Sequence, residues 1–187
     1  ALVRGAKIYA EVLGGNLNSG GQRGQGTMTA PNPVAVQKCI KDALENAGIH
    51  PNEIDAINGH LTATSKDSLE IQNWSQALER IGVDFPYINS LKSMVGHCLS
   101  AAGSIESVAS ILQLHHGFVF PNINCDDINP EITAIIDESR IKGTITYNVK
   151  QNITNTLDIP GPHLYMRFLS DADVKLNVDG KKINISR

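Results

Sequence analysis

No stretch of this chain is apolar for long enough to span a membrane, and its first residues lack a signal-peptide pattern. Charges of one sign are never blocked together, and the net charge is only -3, so neither nucleic acid nor an anionic membrane surface is an expected partner. The three cysteines, Cys39, Cys98 and Cys125, form neither a CxxC pair nor a metal-finger spacing. An odd, widely spread set suits a reducing compartment better than a disulfide framework, so a cytoplasmic protein is expected. Repeats at solenoid periods are missing as well. The glycines of Gly14–Gly26 lack P-loop spacing, and no Lys-Ser or Lys-Thr follows them, which leaves a polar surface loop in place of a phosphate cradle.

What is present reads as an ordinary globular chain of 187 residues, 41% hydrophobic and 19% charged, long enough to bury a core. Lys7–Leu13 reads as a strand that opens abruptly, as though inside a larger protein. Pro31-Asn32-Pro33 marks a helix entry; Val36, Ile40, Ala43 and Ala47 then repeat with helical period until Gly48. Ile54–Ile57 reads as a short strand. Ile71, Trp74, Leu78 and Ile81 mark a second amphipathic helix closed by Gly82, with Asp67 and Glu70 spaced as a capping pair at its start. Phe85–Ile88 is the next strand, and Ile105–Leu114 a helix apolar on most sides, so expected to be buried. His115 and His116 close it, where a cation is favourable, and as neighbours on a helix they diverge too far to share a metal. Phe118–Asn124 reads as extended and Ile132–Ile136 as a short apolar element. From about Lys142 the composition shifts toward Asn and Thr, and Val174–Ile185 reads as a hairpin turning at Asp179-Gly180. Strands alternating with helices up to Ile141 predict an α/β layered fold.

Two histidines, His60 and His97, each sit where a predicted strand hands over to a predicted helix, and Lys92 lies five residues before the second. In an α/β sheet such junctions converge at the carboxyl edge, where helix N-termini present unpaired N–H groups. A lone histidine is more often structural than catalytic. Two histidines, a lysine, two acids and two threonines at such junctions make a site the stronger reading.

These residues carry a family resemblance. Asn58-Gly59-His60-Leu61-Thr62-Ala63-Thr64 resembles the Asn-Ala-His-Gly-Thr-Ser-Thr motif of the β-ketoacyl-acyl-carrier-protein synthases, and Ser90-Leu91-Lys92-Ser93-Met94-Val95-Gly96-His97 resembles their Ser-Thr-Lys-Ser-Met-Thr-Gly-His. Met28-Thr29-Ala30-Pro31 and Pro121 followed by Ile123-Asn124 match family stretches in the same order. Over residues 1–141 the chain resembles the C-terminal half of a two-histidine synthase, with 142–187 a tail that does not follow the family pattern. The resemblance implies a thiolase-like fold and elongation of acyl thioesters by decarboxylative Claisen condensation with a malonyl thioester. It implies that His60 and His97 donate hydrogen bonds to the malonyl carbonyl, where neutral imidazoles suffice, because an enolate oxygen forms as CO2 leaves. It further implies that Glu70 pairs with Lys92 with Asp67 in support, and that Thr62 and Thr64 bind the phosphopantetheine arm. Acyl carrier protein, an N-terminal half bearing the nucleophilic cysteine, and a second copy in a homodimer are the implied partners; no metal or redox cofactor is.

Leu61 stands where the family has glycine, and the segment from His60 to Asp67 is one residue shorter than the usual pattern. No cysteine lies in a nucleophile motif, and nothing after Lys142 matches the family's Gly-Phe-Gly-Gly loop. The chain alone is therefore expected not to complete condensation. A thiolase, and a non-catalytic chain-length or scaffold partner of a condensing enzyme, are the alternatives; the Lys-Ser-Met before Gly96 and the His60 motif favour the synthase.

Overall fold

The computed structural model describes residues 1–20 and 32–142, and beyond them the backbones of five short strands. Its centre is a β-α-β unit. Strand β2 (Ala56–Asn58) leads through a loop into helix α2 (Asp67–Leu78) and returns as β3 (Tyr87–Asn89). The two strands run parallel with Ala56 opposite Tyr87, Ile57 opposite Ile88 and Asn58 opposite Asn89. Ile57 and Ile88 share one face and are buried with Ile71 and Leu78 of α2, Phe85, and Ile132, Ile136 and Ile141 from the following segments. Each such side chain withdrawn from water contributes about 1.5–3 kcal/mol before entropy is counted.

Strand β1 (Ala10–Leu13) precedes helix α1 (Pro33–Ala47), whose sequence signals are obeyed at both ends. The Asn32 side chain accepts the Val34 N–H, Pro33 opens the first turn, and Gly48 takes the left-handed conformation at φ 63° that closes it. Gly14 is required for a different reason: a Cβ there would come within 2.8 Å of the Ala47 nitrogen, so only glycine lets the chain after β1 cross the end of α1. Helix α1 lies against α2, with Gln37 Nε2 donating to Asn73 Oδ1 at 3.0 Å.

Helix α2 stops earlier than its apolar period suggested. Glu79 adopts φ 57° and its N–H returns to the Ser75 carbonyl, so Ile81 is 68% exposed in the loop beyond. Gly82 does not cap this helix; it bridges to Ile136 across the core. The expected Asp67–Glu70 capping pair is also absent: Lys66 is the N-cap and makes no side-chain cap bond, because both carboxylates turn toward the preceding loop.

After β3 come a single turn, α3 (Lys92–Val95), and helix α4 (Ala102–His116), closed by Gly117 at φ 71°. Only Ala109, Gln113 and Leu114 of α4 are buried, and Val108 is 58% exposed, which overturns the expectation of a helix covered on most sides. One face packs toward β1, and nothing among the described residues covers the other. The chain continues through β4 (Phe118–Val119) and α5 (Pro130–Thr133). Strands β5 (Ile145–Thr146), β6 (Leu157–Asp158), β7 (Tyr165–Phe168), β8 (Val174–Val178) and β9 (Lys181–Ile185) follow. β5 pairs antiparallel with β4, and β7 antiparallel with β1. β8 and β9 form the expected hairpin, Val178 opposite Lys181; its turn residues Asp179 and Gly180, like most of Gly14–Gly26, lie outside the described residues. No helix among the described residues is long and apolar enough to cross a membrane.

Candidate active site

His60 leaves the end of β2, where the Gly59 N–H extends the parallel ladder by bonding the Asn89 carbonyl at 2.7 Å. The turn that follows is held by five consecutive N–H groups. Those of His60 and Leu61 donate to the two carboxylate oxygens of Glu70 at 2.7 and 2.9 Å. Those of Thr62, Ala63 and Thr64 donate to Asp67 at 3.2, 2.9 and 3.3 Å. The shortened loop thus wraps the first turn of α2, with Ala63 at φ 56° making the tight bend. Charge-assisted bonds of this kind are stronger than neutral ones, and here they fix the backbone from which His60 projects.

The second turn begins at Ser90, whose hydroxyl donates to the His60 carbonyl at 3.2 Å and so ties the two turns together. Lys92 is not paired with Glu70, whose oxygens are taken by the His60 turn. Its ammonium instead meets the carboxylate of Glu106 on α4, the Lys92 side chain being 6% exposed and that of Glu106 19%. Glu106 lies in no motif of the sequence, although it is the one charged residue among the apolar and small residues of Gly103–Gln113. That solitude was the available signal.

Gly96 at φ 75° carries the chain from α3 into His97. The Leu99 N–H donates to His97 Nδ1 at 3.0 Å, with Leu99 itself held left-handed at φ 48°. A ring nitrogen that accepts cannot carry the proton, so in the neutral imidazole Nε2 is the N–H donor. The His60 and His97 rings meet edge to face, centroids 5.4 Å apart and planes at 79°.

Beside them opens a cavity of about 290 Å³. Thr62, Asp67, Lys92 and His97 border it, as do Asn122 and Cys125. The Thr62 and Thr64 hydroxyls lie 3.2 Å apart at the turn. All seven residues expected from sequence therefore belong to this junction of β2, β3, α2 and α3. Glu106, Ser90 and Asn122 are added to it by the structure. Cys125 is a free thiol whose pKa burial pushes up, against the opposing pull of Lys142. Cys98 points back to the Val95 and Gly96 carbonyls, and Cys39 to Asn16 Oδ1. Among the described residues no group of three metal-ligating side chains converges.

Two histidines on adjacent strand-to-helix turns at the carboxyl edge of a parallel sheet, with His97 lining the cavity, belong to the C-terminal part of a thiolase-like fold. A solved ketosynthase, from module 6 of the bacillaene synthase of Bacillus subtilis 168, shares this fold with a TM-score of 0.70 over 81% of this chain and 29% of its own, at 24% identity. Residues 9–126 match the family model described as beta-ketoacyl synthase, C-terminal domain, and the chain belongs to that family. It is 39% identical over 141 residues to 3-oxoacyl-(acyl-carrier-protein) synthase I, chloroplastic, of Arabidopsis thaliana, covering 73% of this chain and 28% of the relative. It is 34% identical over 135 residues to 3-oxoacyl-(acyl-carrier-protein) synthase 1 of Escherichia coli K12, covering 72% and 31%. The chain thus spans less than a third of the length of these curated relatives.

Proposed function

We propose that this chain supplies the malonyl-activating half of a β-ketoacyl synthase in fatty acid biosynthesis, residues 1–141 forming the half-domain and 142–187 an appended tail. The observation that carries this reading is the Leu99 N–H on His97 Nδ1, which leaves Nε2–H as the free donor of a ring that meets His60 edge to face. A malonyl thioester enters the cavity on its phosphopantetheine arm, held near Thr62 and Thr64, with its carbonyl oxygen between the two rings. Its Cα–carboxylate bond breaks, CO2 leaves, and the electron pair passes to the carbonyl oxygen as an enolate, which the ring donors stabilise. The enolate carbon then attacks an acyl thioester held on a cysteine of the synthase's other half, releasing that thiol and forming the β-ketoacyl product.

That nucleophile is none of Cys39, Cys98 and Cys125: none lies in a nucleophile motif, and Cys125 is shifted away from the thiolate. Acyl carrier protein delivers both substrates in this reading, which calls for no resident metal or organic cofactor. The uncovered face of α4 fits burial against the rest of a longer synthase, and a homodimer is the expected assembly. Assaying the chain with malonyl-pantetheine tests the reading. Release of CO2, lowered about 100-fold by His97→Ala, is expected, with no β-ketoacyl product even when acyl carrier protein thioesters are added. Equal CO2 release by the His97→Ala variant, or robust condensation by this chain alone, would overturn it.

A further inference from the structure

Among the described residues no strand lies beside β3 at Ile88–Ser90 on the edge away from β2, yet the Ile88 carbonyl and the Ser90 N–H there are satisfied. On the β2 side the ladder uses the Tyr87 N–H, bonded to the Asp55 carbonyl, and the Asn89 carbonyl, which accepts from Gly59. The Ile88 carbonyl and the Ser90 N–H therefore face the other way. In a parallel sheet one residue of the next strand would donate to the first and accept from the second. Here a side chain does both. Asn122 Nδ2 donates to the Ile88 carbonyl at 3.0 Å, and Asn122 Oδ1 accepts the Ser90 N–H at 2.8 Å. The second hydrogen of the same amide donates to the Ile141 carbonyl at 2.8 Å. The primary amide thus stands in for one peptide unit opposite Asn89 and leaves none of three partly buried backbone groups orphaned.

Ser90 is where this matters. Its hydroxyl holds the His60 carbonyl, and its own carbonyl accepts the Ser93 hydroxyl at 3.0 Å inside the turn that leads to Lys92 and His97. We propose that Asn122 is a positioning residue of the two-histidine site: by pinning Ser90 it sets both histidine-bearing turns in register. The catalytic consequence rests on the malonyl-site reading above; the geometric role does not.

The full chain, uniformly labelled with 15N, separates the two. In the unsubstituted protein His97 shows the single Nε2–H tautomer. Asn122→Leu, close in shape but unable to bond, exchanges the Ser90 amide proton at least about tenfold faster and gives His60 and His97 ring signals displaced or doubled from their native positions. Asn122→Asp keeps the acceptor for Ser90 but faces a carboxylate toward two carbonyl oxygens, so its ring signals are displaced at neutral pH and return when that acid is protonated. Asn122→Thr retains one donor and one acceptor and carries the comparison if the leucine variant does not fold. Variants that melt earlier but leave both histidine signals superimposable on the native ones overturn the proposal. If malonyl-pantetheine leaves the native ring signals unmoved while Asn122→Leu still displaces them, the malonyl reading falls and the positioning role stands.

Discussion

At the scale of single residues, the departures around His60 compensate one another. A Cβ on Gly59 would lie 3.1 Å from Leu61 Cγ and 3.2 Å from both Glu70 Oε1 and Ile88 Cδ1. The resembling motif has alanine before the histidine and glycine after it, whereas here the larger side chain comes after and the one before is gone. Leu61 is buried in the core, and Gly59 makes the room it needs. Gly59→Ala is therefore expected to cost about 1–2 kcal/mol through overpacking, and the added Leu61→Ala to relieve part of that cost; purely additive losses in thermal melts would contradict the coupling. Cys125 gives a chemical check. Its thiol pKa is raised by burial, so less thiolate is present at pH 8 than in a free thiol, and alkylation by iodoacetamide should lag that of a small free thiol and accelerate only at higher pH. Modification of Cys125 at the free-thiol rate would show it is not desolvated.

Among the elements, helix α4 contributes to the site through one charged residue. Lys92→Met leaves the Glu106 carboxylate mostly buried without its partner, a loss of about 2–3 kcal/mol once the remaining exposure is discounted. The double variant with Glu106→Leu should recover most of it, as read from urea midpoints at constant m. Equal losses in the single and double variants would mean the pair contributes nothing. The elements were largely legible beforehand, because caps and apolar period are local: Asn32, Pro33 and Gly48 announce α1 without any tertiary information. Partners across space were not legible. Asp67 and Glu70 have the spacing of a helix cap, and only the fold shows their carboxylates spent on the His60 turn. That in turn leaves Lys92 to Glu106, fourteen residues away in sequence on another helix. Ile81 differs for a local reason: its period fits α2, but the left-handed Glu79 ends that helix first.

For the whole molecule, the deciding feature is an apolar face that nothing among the described residues covers. Val95, Leu99, Ile105, Val108 and Leu112 are exposed along α3, the turn after it and α4. Contiguous apolar surface of this kind is rarely left open on an isolated soluble monomer. The chain alone is expected to self-associate with concentration in sedimentation velocity, and Val108→Lys with Leu112→Lys to shift it toward monomer. A sharply melting monomer at every concentration would show that the face needs no partner. The account as a whole depends on His60 and His97 acting together on one carbonyl. Its most direct test is the 15N spectrum of the histidine-labelled chain during a titration with malonyl-pantetheine. The account predicts a His97 Nε2–H tautomer before addition and displacement of both the His60 and His97 ring signals at saturation. A His97 protonated at Nδ1, or bound malonyl-pantetheine that leaves both rings undisturbed, would contradict it.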